Sequence, residues 1–174
     1  AFVRLLSKQV LYIRIPIFFF FFSMQIQKSI ELSKSQNDLL QVIVDLRDNR
    51  GGLLNAAVEV ADEFVTRGTL ATTKGRVDIF NLVFLAKPNG ILEGKKVAVL
   101  INKNTASAAE LLAGVLKNNA NACILGQNSF GKSAVQTQIP LSNGGAISLT
   151  TAIYYFANGK TVNKQGIKPD IEIS

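Results

Sequence analysis

The sequence predicts an α/β fold with a partly parallel sheet, and two observations carry that expectation. Across residues 39–125, short apolar, β-branched runs alternate with segments whose apolar residues follow helical spacing, the pattern of βα units. From residue 134 onward helical spacing gives way to strand-like alternation, which predicts added antiparallel pairs. With 174 residues and 48% apolar content, the chain is long enough for one domain with a substantial core.

In chain order, residues 1–9 are weakly patterned, and residues 10–15, VLYIRI, read as a strand. Five consecutive phenylalanines follow at 18–22, read as an exposed run that invites aggregation or partner docking. Residues 23–35 carry Met24, Ile26, Ile30 and Leu32 among polar residues, a weak amphipathic helix. Residues 39–46 form a strand ending near Asp45 and Arg47, and the Gly51-Gly52 turn closes it. From Leu53 the residues Leu54, Ala57, Val58, Ala61, Phe64 and Val65 follow helical spacing. Residues 68–86 hold two strand-like stretches, and Pro88-Asn89-Gly90 makes a turn.

The next stretch is the most informative. Residues 97–101 have the length and branching of a buried strand, and a polar turn, 102–105, follows. Ser107 then opens a helix with Leu111, Leu112, Val115 and Leu116 on one face. A second apolar run at 122–125 leads into a glycine-punctuated loop bearing Lys132. Residues 134–140 alternate as a strand closed by Pro140, Gly144-Gly145 marks a hairpin, and 146–156 is its second arm. The tail from Gly166 to Asp170 is expected as a surface strand.

A hydroxyl at a strand-to-helix turn and an amine on the loop after the next strand can meet over one sheet edge. The chain contains no histidine, so a base for nucleophilic chemistry must be another group, and a desolvated lysine serves. The apolar neighbours Phe130 and Val135 are expected to supply that burial, with Gln136 accepting a hydrogen bond from the amine. Other readings stand beside this one. Ser107-Ala-Ala-Glu110 is also a capping box, and the two roles are compatible, because a helix N-terminus favours an oxyanion. Gly126 to Ser133 matches the phosphate-loop pattern G-x-x-x-x-G-K-[ST], but that pattern requires a helix after the lysine, where the sequence predicts a strand. Gly51-Gly52 allows backbone N–H groups to approach a ligand, or is an ordinary βα turn.

Composition narrows the function classes. The net charge of +7 is scattered, with no basic stripe interleaved with aromatics, so a nucleic-acid partner is not expected. The charge is read as solubility with a bias toward acidic or membrane surfaces. The single cysteine, Cys123, cannot form an internal disulfide and reads as a small apolar strand residue. A histidine-free chain with one cysteine offers no Cys/His cluster, and no metal or other cofactor is expected. Arg14 and Pro16 interrupt the only stretch resembling a signal peptide, and residues 15–22 are too short to span a bilayer. A chain beginning at Ala1 is expected to be a fragment or a processed product.

Three ordered blocks carry a family resemblance: Val42-Ile-Val-Asp-Leu-Arg-Asp-Asn-Arg-Gly-Gly52, Thr105-Ala-Ser-Ala-Ala-Glu110 and Phe130-Gly-Lys-Ser-Ala-Val-Gln136. Together they resemble the C-terminal processing, or tail-specific, peptidases, serine endopeptidases with a Ser/Lys dyad. The resemblance implies a ClpP/crotonase-like core with a strand-rich C-terminal part. It implies Ser107 as nucleophile, Lys132 as general base and Gln136 as the residue orienting the lysine. It also implies an oxyanion hole of the Ala108 N–H with Gly52 or Gly51, and loop support from Asp45 and Arg47. Substrates would be protein tails or unfolded proteins, in a cell-envelope compartment such as the periplasm, with oligomerisation left open. The resemblance covers residues 39–174; residues 1–36 match poorly and are set apart from a catalytic core at 37–174. In that family a PDZ domain precedes the entry strand, and the residues before Val10 are expected to hold at most a remnant of its linker. A peptide-binding module with an idle dyad is the rival reading.

Overall fold

The computed structural model describes residues 2–32, 39–88 and 90–173. Among the described residues, ten strands form two sheets with three α-helices packed around and between them. The strands are β1 (Phe2–Ser7), β2 (Val10–Arg14), β3 (Gln41–Asp45), β4 (Thr69–Gly75), β5 (Val83–Leu85), β6 (Lys96–Ile101), β7 (Cys123–Gly126), β8 (Ala134–Pro140), β9 (Ala146–Phe156) and β10 (Ile171–Glu172). The helices are α1 (Phe22–Leu32), α2 (Leu54–Asp62) and α3 (Ala108–Asn119), with a 3-10 turn at Asp78–Phe80.

The larger sheet has the order β1-β2-β3-β6-β7-β10. Its strands from β2 to β10 run parallel, while β1 joins the edge antiparallel. The smaller sheet, β5-β4-β9-β8, is antiparallel throughout. The sequence expectation of parallel βα units followed by antiparallel pairs therefore describes the molecule. Register follows burial: Leu11, Val42 and Val97 sit side by side in one row with their side chains inside the core.

Helix α3 is buried along Ala108–Leu116, because it contacts β7 of one sheet and β4 and β9 of the other. Small residues permit this. A Cβ on Gly114 would lie 2.1 Å from the Phe156 ring, so helix and strand approach as closely as they do only because a side chain is missing there. The chain leaves α3, which ends at Asn119, through Asn121, whose φ of 52° is a left-handed conformation that asparagine tolerates, with Ala120 and Ala122 N–H both donating to the Leu116 carbonyl. Among the described residues no helix is long and apolar enough to cross a membrane.

Several expectations need correction. The weakly patterned residues 2–7 are strand β1, held by pairing with β2 rather than by a periodic apolar face. The phenylalanine run is not uniformly exposed: Phe18 is 1% exposed and belongs to the core, while Phe19, Phe20 and Phe21 face solvent. The tail strand forms at Ile171–Glu172, just after the expected segment, because Asp170 bonds the Ile124 N–H and brings the chain alongside β7. Of the second strand-like stretch before Pro88, only Val83–Leu85 pairs; the preceding Asp78–Phe80 coils into the 3-10 turn. The helix expected over 23–35 is α1. Its last expected residues, 33–35, lie outside the described residues, as does Asn89.

Candidate active site

Ser107 sits at the junction of β6 and α3, with φ 57° and ψ −120°. For a residue with a Cβ this conformation is strained, so the surroundings must hold it. Thr105 bridges the turn beneath it, its Oγ1 accepting from the Asn102 N–H (3.0 Å) and donating to the Leu46 carbonyl (2.9 Å). The Ala106 N–H donates to the Asn49 carbonyl (2.9 Å). Above the turn, Ser107 and Glu110 form the capping box expected from the sequence, the Ser107 N–H donating to Glu110 Oε2 at 2.9 Å.

Glu110 does more than cap. Its carboxylate is fully buried and gathers the lysine loop. Oε1 accepts from the Ser129 hydroxyl (2.5 Å) and the Gly131 N–H (2.6 Å), and Oε2 accepts from the Lys132 N–H (2.8 Å). Ser107 and Lys132 thus donate their backbone N–H groups to one oxygen. The Lys132 Nζ donates to Gln136 Oε1 at 3.3 Å, four residues onward on β8. Residues 134–140 continue as β8, so the G-K-S triplet lacks the following helix that a phosphate loop needs. Phe130 is 66% exposed, so its ring is not packed into the loop interior as expected.

Tyr154 on β9 locks the two halves from below. Its hydroxyl donates to the Ser107 carbonyl (3.2 Å) and its N–H to the Ser133 carbonyl (3.1 Å). Burial pushes its hydroxyl pKa well up, and the Glu110 charge adds to the effect, so the group remains a protonated donor.

The Gly51-Gly52 turn closes the site from the β3 side. A Cβ on Gly51 would stand 2.8 Å from Ser107 Cβ and 3.1 Å from the Ala108 nitrogen, so the close approach requires glycine. Both glycines have positive φ, 105° and 128°. Their N–H groups differ. That of Gly51 donates to Asn49 Oδ1 at 2.8 Å, whereas that of Gly52 has no acceptor among the described residues. The Ala108 N–H, first in α3, has none there either. Asn49 organises this corner: it is fully buried, and its Nδ2 donates to the Ile15 carbonyl at 2.8 Å. On the outer side Phe18 grips the turn, its N–H donating to the Gly51 carbonyl (2.9 Å) and its carbonyl accepting from the Leu53 N–H (2.9 Å).

Asp45 and Arg47 lie at the end of β3 and form an ion pair, Arg47 Nη2 to Asp45 Oδ2 at 2.7 Å. Asp45 also accepts from the Tyr12 hydroxyl (2.6 Å) and from Arg14 (3.1 Å), which ties β2 to β3 where the loop departs. Burial pushes the Asp45 carboxyl up, but Arg47 and Tyr12 together outweigh it and hold the carboxyl below the usual range. Cys123 is half-buried in β7.

The sequence reading missed three residues that build this site. Glu110 was legible only as a cap, although a glutamate heading an otherwise apolar helix signals a buried acceptor with partners. Asn49 and Tyr154 left no signal in spacing or composition.

Similarity to known proteins follows the geometry. The family model described as peptidase family S41 matches residues 9–173. A carboxy-terminal-processing protease of Bartonella bacilliformis is 44% identical over 142 residues, 81% of this chain and 33% of that protein. The chloroplastic C-terminal processing peptidase of Tetradesmus obliquus is 39% identical over 146 residues, 82% of this chain and 30% of that one. The chain therefore spans about a third of the length of these relatives. The structure titled photosystem II D1 C-terminal processing protease superposes with a TM-score of 0.81 at 34% identity, covering 95% of this chain and 42% of that one. Tricorn protease shares the fold at a TM-score of 0.61 and 20% identity, over 95% of this chain and 15% of its own. The architecture is the ClpP-like protease fold.

Proposed function

The chain belongs to peptidase family S41, and from that premise we propose that it hydrolyses peptide bonds through an acyl-enzyme formed on Ser107, with Lys132 as the base. The observation that carries this reading is the shared Glu110 oxygen, which brings the backbones of Ser107 and Lys132 within two hydrogen-bond lengths of each other. In the first step the neutral Lys132 amine accepts the Ser107 Oγ proton as Oγ bonds to the substrate carbonyl carbon. The carbonyl π pair moves to oxygen, and the free N–H groups of Gly52 and Ala108 hold that oxyanion. Gly51 is set aside for this role, since Asn49 occupies its N–H. Collapse expels the amine, which takes the proton back from Lys132. Water then attacks the ester carbonyl as it gives a proton to Lys132, and collapse breaks the bond to Oγ while Lys132 returns that proton to Oγ, releasing the acid product and restoring Ser107. Gln136 aims the amine without adding a charge that would favour the ammonium. Asp45 and Arg47 support the loop and take no part in proton transfer.

The substrates proposed are C-terminal tails or unfolded segments of proteins, cleaved as an endopeptidase in a cell-envelope compartment. Labelling with a fluorophosphonate serine probe tests the proposal. Ser107 is expected to label in the unaltered protein, and neither Ser107→Ala nor Lys132→Ala is expected to react. An unlabelled Ser107 in the folded protein would support the rival reading, a peptide-binding module with an idle dyad.

A further inference from the structure

A cavity of about 430 Å³ opens between α1 and the C-terminal end of α2, away from the proposed dyad. Its lining joins Phe20, Phe21 and Met24 to three carboxylates, Glu59, Asp62 and Glu63, with Lys87 also present. We propose that this cavity binds an organic cation, the ammonium or guanidinium of a Lys or Arg side chain, carried by the polypeptide substrate. The inference rests on the peptidase reading for the polypeptide, and on the cavity alone for the cation.

Carboxylates at a helix end are ordinarily a solvated surface, and three observations set these apart. The first is Glu63. It is 5% exposed, its Oε1 accepts from Gln27 Nε2 of α1 at 2.5 Å, and its Oε2 has no hydrogen-bond partner among the described residues. A buried carboxylate oxygen without a donor is costly, and a cation entering the cavity supplies the missing donor. Burial pushes this carboxyl's pKa up and the Asp62 charge adds to it, against the Ile91 N–H and the Gln27 amide. The second is uncompensated charge. Glu59, Asp62 and Glu63 stand at i, i+3 and i+4, where like charges repel, and they crowd the negative end of the α2 dipole. Asp62 accepts from the Lys87 N–H (2.5 Å) and Glu59 from the Ser23 hydroxyl (3.2 Å). Yet none of the three carboxylates is in an ion pair among the described residues, in a chain of net charge +7. Among those residues no three carboxylates converge as a metal site requires, which favours a cation with several donors over a bare ion. The third is the aromatic lining. Phe20 and Phe21 are 71% and 69% exposed, with ring centroids 6.4 Å apart. Exposed aromatic faces attract a cation, and the aliphatic stem of Lys or Arg covers apolar surface such as Met24. Phe20 and Glu59 also line the neighbouring cleft that holds Val135 and Thr137, the residues on either side of Gln136. A polypeptide held at Lys132 and Gln136 therefore passes within reach of the cavity.

The test uses binding, so that it does not depend on turnover. The chain contains no tryptophan, so a single tryptophan in a peptide reports binding by its own anisotropy. Peptides blocked at both ends, with a central Lys or its uncharged isostere norleucine, are titrated against Ser107→Ala. The Lys peptide is expected to bind about tenfold more tightly, a ratio that contracts as salt rises from about 50 to about 500 mM. The net charge of +7 alone would favour the norleucine peptide, so the ratio isolates the cavity. Glu63→Gln keeps the shape and an acceptor for Gln27, and should reduce the ratio to about threefold or less. Adding Glu59→Gln should bring it to about one. Phe21→Leu alters only an exposed ring and should lower the ratio at least about twofold, even where the glutamine variants do not fold. Equal binding of the two peptides, or a ratio that none of these substitutions changes, would overturn the proposal. Displacement of the Lys peptide by spermidine at a lower concentration than by a tryptophan-free Lys peptide would overturn the polypeptide as occupant. A Ser107 left unlabelled by the fluorophosphonate probe, with the Lys preference intact, would overturn the catalytic reading alone.

Discussion

Ser107 and Lys132 donate their backbone N–H groups to the same oxygen, Oε2 of Glu110, at 2.9 and 2.8 Å. The proposed nucleophile and base are thereby positioned by one buried carboxylate that touches neither side-chain reaction centre. Glu110→Ala strands the Ser107, Gly131 and Lys132 N–H groups and the Ser129 hydroxyl. It is expected to cost about 3–5 kcal/mol in urea unfolding and to abolish hydrolysis. Glu110→Gln keeps one acceptor oxygen but turns an amide nitrogen toward donors, so it should lose less stability than the alanine variant. A Glu110→Ala protein within about 1 kcal/mol of the unaltered one would show that these bonds contribute little.

Ser107 combines the proposed nucleophile with a strained backbone, and two substitutions separate these. Both Ser107→Ala and Ser107→Gly remove Oγ and should be inactive against an unfolded protein substrate. Alanine keeps the strain and loses the cap, for an expected cost of about 0.5–2 kcal/mol. Glycine accepts φ 57° freely and should exceed the alanine variant in stability by about 1 kcal/mol. Equal unfolding midpoints would mean that the elbow stores no strain.

At the lysine, charge is the discriminating variable. Lys132→Arg places a permanently charged guanidinium in the proposed base position and should be inactive at every pH where the fold persists. Gln136→Glu would put a carboxylate where the present acceptor lies 3.3 Å from the amine. A neighbouring anion favours the ammonium form, so a smaller fraction of the amine is neutral at a given pH. The rate-against-pH profile of that variant should move to higher pH. A profile that stays in place would remove Gln136 from the proposed mechanism.

Acid stability reports on Asp45. Its carboxyl is held low in the fold by Arg47 and Tyr12 against the opposing effect of burial. In the unfolded chain it returns to about 3.9, so on acidification the unfolded state takes up the proton first. The stabilisation is fully present above that value and is lost as pH falls through the lower, folded value. Between about pH 7 and pH 3 the urea midpoint of the unaltered protein should therefore fall more than that of Asp45→Asn. Parallel losses in the two proteins would locate the acid sensitivity elsewhere.

Much of this architecture was legible because burial imposes a period. The rows containing Val42, Val44, Val97 and Val99 announce buried strands, and Leu111, Leu112, Val115 and Leu116 announce a buried helix face. The capping box was readable because its two partners are close in sequence. What stayed hidden depends on contacts distant in the chain. Tyr154 meets Ser107 across 47 positions, and Asn49 meets Ile15 across 34, so neither carries a local signature. Strand β1 gains its place from pairing rather than from apolar alternation. That the Asn49 side chain occupies the Gly51 N–H and not that of Gly52 is a matter of orientation, which spacing does not reveal.

The grip of Phe18 on the Gly51-Gly52 turn makes segment length a mechanical variable. A Cβ on Gly52 would lie 2.1 Å from the Phe18 oxygen, so the first phenylalanine and the turn move as a single piece. Deleting one residue between Arg14 and Phe18 would pull that piece along the chain by about 3.3 Å, a strand's rise per residue. Catalytic groups tolerate displacements of only about 0.5 Å. The linker joining β2 to the aromatic run is thus a ruler for the proposed oxyanion donor: its count of residues, more than their identity, sets where that N–H points.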